Sequence, residues 1–180
     1  MLGRFIFPNL LNPGDWDLGQ AGGLRLRDLF LKGRVVPGRC PVFRAHQNVA
    51  QAIGSGGSVK VQVQAEDLDS DGCFDPAVNY RFLPNVAGYY HIKGQVSLTL
   101  PAINMTVRAA IWRNGAEYCR SQQTVAAVAN SYIVAVEDIV LFNGTTDYVE
   151  LYVFQNSGAN QNTDAGSNVT NFSGALVRAT

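Results

Sequence analysis

The sequence predicts an all-β protein, a jelly-roll sandwich preceded by an extended N-terminal arm. From residue 42 onward, short apolar segments are separated by Gly, Asn, Asp, Ser and Pro, with almost no helical periodicity. Residues 59–65 alternate strictly between apolar and polar side chains, as a strand with one buried and one hydrated face requires. Eight such segments match the strand number of a jelly roll. They lie at roughly 43–49, 58–66, 77–83, 88–99, 104–114, 131–142, 147–155 and 171–178.

The segment before the first strand differs from the rest of the chain, and we predict an anchoring arm at 1–41 and the jelly-roll domain at 42–180. Pro and Gly interrupt the arm every few positions. Residues 1–44 contain seven Lys or Arg and three Asp, a net charge of +4, and the remainder carries −4. Large apolar side chains in so irregular a segment need a partner surface. The predicted partner-binding residues are Phe5, Phe7, Trp16, Arg25 and Arg27.

Composition excludes several classes of protein. With 47% hydrophobic and 16% charged residues the chain is too apolar to be disordered, and it contains no apolar run long enough to cross a bilayer. The N-terminus lacks the apolar region of a secretory signal, so we expect no export by that route. Cys40, Cys73 and Cys119 are odd in number and lack metal-binding spacing, although a disulfide between two of them is left open. We expect no nucleic-acid partner and no membrane insertion.

The residues needed for catalysis are scarce, and we predict that the protein is not an enzyme and has no catalytic cofactor. The chain has two histidines, His46 and His91, and each is predicted to lie in a strand. Phosphate-binding loops, HExxH and paired-carboxylate motifs are missing from the sequence.

Alternating carboxylates indicate one candidate metal site. Asp67, Asp69 and Asp71 precede Gly72, and carboxylate oxygens before a glycine turn are typical calcium ligands. Val78 occupies the twelfth position, where an EF-hand needs a bidentate Glu, so the EF-hand is excluded. Calcium bound in a β-loop and a solvated acidic turn remain as alternatives.

A second candidate site is the polar stretch at 155–171, which is dominated by Asn, Gly, Ser and Gln. Adaptable polar side chains on a rigid β scaffold are typical of recognition surfaces, whereas a flexible connection is the alternative. The candidate recognition residues are Asn156, Asn160, Asn162, Asp164 and Asn168.

Residues 73–92, CFDPAVNYRFLPNVAGYYHI, carry a family resemblance. Phe74-Asp75, Phe82, Gly88, Tyr90 and Ile92 occupy in order the positions of a signature to which this block is similar, that of the complement C1q globular head, a family related in fold to tumour necrosis factor. The resemblance covers about residues 42–180 and implies a jelly roll that assembles as a homotrimer. It also implies that the signature residues have a structural role.

Other residues agree with this family or depart from it. The even spacing of Phe82, Tyr90 and Ile92 places them on one strand face. Asn114-Gly115 predicts a hairpin of type I′, whose central residues both need positive φ. The chain lacks the Gly-X-Y stalk of animal members, and two residues are inserted at 144–149.

Two function classes follow from these features. The first is a virion structural protein, most simply of a tailed bacteriophage, which decorates a capsid or forms part of a tail fibre. Its arm would dock on other virion proteins, and its head would contact a host receptor or glycan. The protein would then be located in the virion, which is assembled in the host cytoplasm. The alternative is a secreted C1q/TNF-like ligand or carbohydrate-binding adhesin, which needs an export route.

Overall fold

The computed structural model describes residues 40–101, 103–125 and 130–180. In these residues all regular structure is β-strand, and no helix is present that is long and apolar enough to cross a membrane. The strands are β1 (Val42–His46), β2 (Ala52–Ile53), β3 (Ser58–Lys60), β4 (Ala65–Asp69), β5 (Phe74–Asp75), β6 (Arg81–Phe82), β7 (Gly88–Leu100), β8 (Thr106–Arg113), β9 (Ala116–Thr124), β10 (Asn130–Phe142), β11 (Val149–Gln155), β12 (Gln161–Asn162) and β13 (Asn171–Ala179).

The strands form two large antiparallel sheets. The first sheet has the order β10-β7-β13-β1-β4. The second sheet has the order β5-β6-β11-β8-β9, and β3 also pairs with β11. Strands β2 and β12 form a small separate pair. The predicted all-β sandwich is therefore confirmed.

Aromatic side chains fill the space between the two sheets. Phe43 of the first sheet stacks on Phe82 of the second with ring centroids 4.2 Å apart, and Tyr90 meets Phe82 edge-on at 5.7 Å. The hydroxyl of Tyr90 donates to the carbonyl oxygen of Val86 at 2.8 Å, so burial leaves no polar group unpaired on this ring. The aromatic cluster consists of Phe43, Phe74, Phe82, Tyr90, Phe142 and Phe172.

Phe82, Tyr90 and Ile92 are buried, but they do not share one strand face. Phe82 lies in β6 of the second sheet, whereas Tyr90 and Ile92 lie in β7 of the first. The placement on one face was wrong because residues 83–87 form a bend that carries the chain from one sheet to the other. All three side chains still reach the same core, because Phe82 enters it from the second sheet and Tyr90 and Ile92 enter it from the first.

The alternating segment at 59–65 also crosses between the sheets. Strand β3 pairs with β11 in the second sheet and β4 pairs with β1 in the first. Val61 and Val63, between the two strands, are fully buried. The prediction of one continuous strand was wrong because alternation records which side chains reach the core, and a crossing segment with few ladder hydrogen bonds keeps that pattern.

Strand β9 was absent from the predicted strands. It lies at the edge of the second sheet and most of its residues are exposed, so its sequence, AEYCRSQQT, shows no buried face. The turn that leads into it was predicted correctly. Asn114 and Gly115 have φ values of 51° and 81°, as the type I′ hairpin requires.

Asp75 explains why the strand predicted at 77–83 starts only at Arg81. Its carboxylate accepts hydrogen bonds from the backbone N–H groups of residues 77–79 at 2.9–3.1 Å. An aspartate that bonds to the following N–H groups holds the chain in a turn rather than in a strand.

The Asp75 carboxylate thus caps the turn, and we expect this cap to make the free energy of unfolding depend on pH. The N–H of Val78, followed by the other donors of the turn, lowers the pKa of Asp75 to about 2. A lowered pKa in the folded state stabilises the fold above the unfolded value of 3.8, and this contribution is lost as the pH falls through about 2. Asp75→Ala should therefore cost about 1–2 kcal/mol at neutral pH.

Urea unfolding of the wild type and Asp75→Ala at pH 7, 4 and 2 measures this effect. The difference between the two proteins should shrink between pH 4 and pH 2. A difference that stays constant over this range would contradict the assignment, and Asp75→Asn should retain part of the cap at every pH.

Candidate interaction surfaces

An apolar patch lies on the outer face of the first sheet. Along β10 the outward residues alternate with buried ones, and Leu141 stands directly opposite Tyr89 of β7. The patch consists of Tyr89 (42% exposed), Ile139 (46%), Leu141 (42%) and Val177 (60%), and Ile133 (48%) lies further along the same face of β10. Large apolar side chains this exposed on one face are typical of a protein contact surface.

Charged side chains surround the patch on the same face. The Nε2 atom of His91 lies 3.3 Å from the Oε2 atom of Glu137. Near the opposite edge of the same sheet, on β1 and β4, Asp67 bonds to the guanidinium of Arg44, and its Oδ1 atom lies 2.9 Å from Nδ1 of His46. Each histidine thus lies close to a carboxylate.

The candidate calcium ligands have separate protein partners. Besides the pairing of Asp67 with cations, Asp69 accepts hydrogen bonds from the N–H groups of Asp71 and Phe74 at 3.2 and 2.7 Å. Asp71 accepts from the hydroxyl of Ser70 at 2.7 Å. In the described part of the chain, no group of three or more His, Cys, Asp or Glu is placed to hold a metal ion. A calcium site here stays a prediction, and it would require these carboxylates to converge.

Four of the five candidate recognition residues point to solvent. Asn156, Asn160, Asn162 and Asn168 are exposed, whereas Asp164 is only half-buried and turns inward. Its Oδ2 atom accepts hydrogen bonds from Ser97 at 2.6 Å and from Ser131 at 2.5 Å. Asp164 therefore holds the loop on the first sheet.

Buried polar residues that the sequence analysis did not identify hold the rest of this loop. The side-chain amide of Gln155, fully buried, donates to the carbonyl oxygens of Ile53 and Ala159 at 3.0 and 2.8 Å. The hydroxyl of Thr163 bonds to Gln47, which is also fully buried. These bonds fix the exposed amides in place. A single Gln or Thr beside an apolar strand carries no signal for such a role.

The outer face of the second sheet carries aromatic rings that contact their own neighbours. Trp112 and Tyr152 stack at 4.2 Å, and the guanidinium of Arg108 lies 4.4 Å from the ring centroid of Phe154. Burial, and next the nearby Glu150 carboxylate, raise the pKa of Tyr152 above its usual value. Because these rings are already packed, the first sheet offers the stronger candidate for contact with a partner.

Two further sequence-based expectations concern the cysteines and the arm. Cys40 is exposed, Cys73 is buried and Cys119 is half-buried, and none is joined in a disulfide. Burial raises the pKa of the Cys119 thiol to about 11, which makes it a poor nucleophile at neutral pH. The arm at 1–41, with Phe5, Phe7, Trp16, Arg25 and Arg27, lies almost wholly outside the described residues and stays a prediction.

Comparison with known proteins places the fold. No protein-family model and no curated protein sequence matches the chain. A solved structure of murine APRIL is similar to it with a TM-score of 0.60 at 12% identity, covering 77% of this chain and 100% of that one. Eiger TNF from S. frugiperda is similar with a TM-score of 0.60 at 8% identity, covering 79% and 96%. Identity this low shows the fold alone, and that fold is the TNF-like jelly roll.

Proposed function

We propose that the protein is a non-enzymatic homotrimer whose jelly-roll heads present a binding surface. The observation that carries this proposal is the apolar patch, whose members are 42–60% exposed in a single copy. The resemblance to C1q and the TNF-like fold support a three-fold assembly.

The energetics favour self-association through the patch. Fully burying one large apolar side chain contributes roughly 1.5–3 kcal/mol, and the patch residues are already about half covered, so each contributes roughly half of that toward the cost of association. The polar side chains of His91 and Glu137, which lie 3.3 Å apart, border the patch and restrict how a second copy can align with it. A closed ring of identical copies buries the same patch in every subunit.

Light scattering on the purified full chain tests the assembly. We expect three times the protomer mass of 19.5 kDa at micromolar concentration. The double variant Ile139→Lys, Leu141→Lys places charge at the centre of the patch and should give a folded monomer. Val78→Lys is the matched control, because Val78 is 76% exposed on a turn outside the patch, and it should stay trimeric. A monomeric wild type, or a trimeric double variant, would overturn the proposal.

The surface presented by the trimer would include the exposed amides Asn156, Asn160, Asn162 and Asn168. Their backbone is held by buried hydrogen bonds, so little ordering entropy is lost when a partner binds. Side-chain amides both donate and accept, which suits a glycan or a polar receptor surface. We propose a host glycan or receptor as the partner of the loop at 155–171.

We also propose a more specific role, that of a virion protein anchored by residues 1–41. Its support is the charge difference between arm and head and the apolar residues of the arm, including Phe7 and Trp16. Capsid, portal or tail genes beside this one would favour that role, and genes for secretion or adhesion would favour the secreted alternative.

A further inference from the structure

Four connections between strands meet at one end of the sandwich, which we call the loop end. They join β1 to β3, β7 to β8, β9 to β10 and β11 to β13. Strand β2 of the first connection pairs with β12 of the last. The N–H of Asn104 donates to the carbonyl oxygen of Val125 at 2.9 Å, and the N–H of Thr106 donates to Oδ1 of Asn156 at 2.6 Å. These bonds join all four connections into one surface.

The sequence that builds the loop end is almost free of charged side chains. Residues 45–180 contain seven Lys or Arg and eleven Asp or Glu. Of these, only Asp164 lies within the four stretches 47–59, 94–107, 121–136 and 151–177, which hold the connections and the adjoining parts of the strands. Charge is therefore concentrated elsewhere in the domain, whereas polar uncharged side chains are frequent at the loop end.

The charges nearest to the loop end are paired or directed elsewhere. Asp164 turns inward and accepts hydrogen bonds from two serines. The Nη2 atom of Arg44 donates to the carbonyl oxygen of Ser167 at 2.6 Å, and the same guanidinium pairs with Asp67. Arg108 lies on the outer face of the second sheet, where it covers an aromatic ring. The described residues of the loop end therefore include no Lys or Arg that could receive an anionic group.

The exposed side chains of the loop end are amides, hydroxyls and small aliphatic groups. Val49 and Ile103 are 63% and 52% exposed. In the described part of the loop end, no exposed side chain is aromatic and none is an arginine. Protein interfaces obtain most of their binding energy from those residue types, so a protein is the less favoured occupant. The exposed amides include Asn48, Asn104, Asn160, Asn162 and Asn168.

We propose that the loop end binds a neutral oligosaccharide, a glycan without carboxylate, sulfate or phosphate groups. Side-chain amides both donate and accept hydrogen bonds, as sugar hydroxyl groups require. An acidic glycan needs Arg or Lys as a partner, and removing its charge from water without one is costly. Val49 and Ile103 supply apolar surface for the C–H groups of a sugar ring. This inference rests on the proposed function, in which the loop at 155–171 is a recognition surface, and it names the class of ligand.

Two of the amides are placed to contact a ligand without a cost to the fold. The side chains of Asn160 and Asn162 form no hydrogen bond with the described part of the protein. They are two residues apart in an extended segment, so they point to the same side. The pairing of β12 with β2 fixes the backbone that carries them.

The proposed trimer would strengthen the binding. A neutral hydrogen bond contributes little net free energy, so a single loop end binds weakly, and three loop ends in one trimer gain from multivalency. The chain enters β1 at Val42, whereas the loop end adjoins the other end of that strand, where the N–H of Gln47 donates to the carbonyl oxygen of Thr170 at 3.0 Å. A domain anchored from the start of β1 would therefore leave the loop end accessible.

Binding of the full-length protein to an array of immobilised oligosaccharides tests the proposal. One half of the array carries neutral glycans, and the other half carries sialylated, uronic-acid and sulfated glycans. We expect binding to neutral glycans only. When the neutral glycan that binds best is titrated in solution, its affinity should stay constant between about 50 mM and about 500 mM sodium chloride, because no ion pair forms.

The double variant Asn160→Ala, Asn162→Ala should weaken binding of that glycan about tenfold and should melt at the same temperature as the wild type. Asn85→Ala is the matched control, because Asn85 is an exposed amide between β6 and β7, at the other end of the sandwich, and it should bind like the wild type.

The proposal is overturned if no neutral glycan binds, if acidic glycans bind equally well, if the affinity falls with salt, or if the double variant binds like the wild type. Binding of acidic glycans or of a protein alone would overturn this inference and still leave the loop at 155–171 as a recognition surface. Light scattering measures the trimer separately from either result.

Discussion

Replacing Phe82 by alanine is expected to lower the free energy of unfolding by about 3–5 kcal/mol. Phe82 is fully buried and lies between the two sheets, 4.2 Å from Phe43 and 6.0 Å from Phe142 by ring centroids. The alanine leaves a cavity bordered by rings from both sheets, and rigid rings fill such a space poorly. The substitution should therefore lose both the transfer free energy and the aromatic contacts.

Urea unfolding followed by tryptophan fluorescence measures this loss, and Phe154→Ala is the matched control. Phe154 has the same side chain but lies on the outer face of the second sheet, where its main contact is with Arg108. We expect its replacement to cost about 1 kcal/mol or less. Equal losses in the two variants would contradict the central role of the aromatic cluster.

Gly144→Ala is expected to destabilise the fold by about 2–4 kcal/mol, for two separate reasons. Gly144 has a φ of 74°, a conformation that L residues adopt at a cost. A Cβ atom there would also lie 2.5 Å from the backbone nitrogen of Ala87 and 2.8 Å from the carbonyl carbon of Val86. Backbone atoms cannot rotate away, and a shift of Val86 also disturbs the hydrogen bond from Tyr90.

Gly158→Ala separates the two reasons. Gly158 has a similar φ of 83°, but nothing lies within 4 Å of the position that a Cβ would occupy. Its replacement should therefore cost only the conformational term, about 1–2 kcal/mol. Thermal and urea unfolding of both variants should show the larger loss for Gly144→Ala. Equal losses in the two variants would show that the close approach of residue 144 to residues 86–87 adds nothing to the cost of the substitution.

The turn around Gly144 is held by a buried carboxylate. Asp147 is nearly buried and accepts hydrogen bonds from Arg113 at 2.9 Å, from Asn114 at 2.7 Å and from the N–H of Asn143 at 2.9 Å. The Asn114 bond, together with the others, lowers the pKa of Asp147. The loop is thus tied to the β8–β9 hairpin. The partners of this loop, Arg113 and Asn114, come from a distant part of the chain.

The candidate sites were predictable only in part. The polar loop at 155–171 and its exposed asparagines could be identified from composition. The inward turn of Asp164 could not, because its partners Ser97 and Ser131 come from other strands. Asp67 likewise shows only a carboxylate spacing in the sequence, while the fold pairs it with Arg44.

The sequence by itself determined the features that depend on neighbouring residues. Alternation at 59–65 predicted which valines are buried, and Asn114-Gly115 predicted a turn whose φ values are positive. Both depend on side-chain direction or backbone freedom within a few residues. Only the tertiary structure decided that Phe82 and Tyr90 belong to opposite sheets, because strand pairing depends on contacts between distant segments. It also decided where the apolar patch lies, since that surface combines side chains that only strand register brings together.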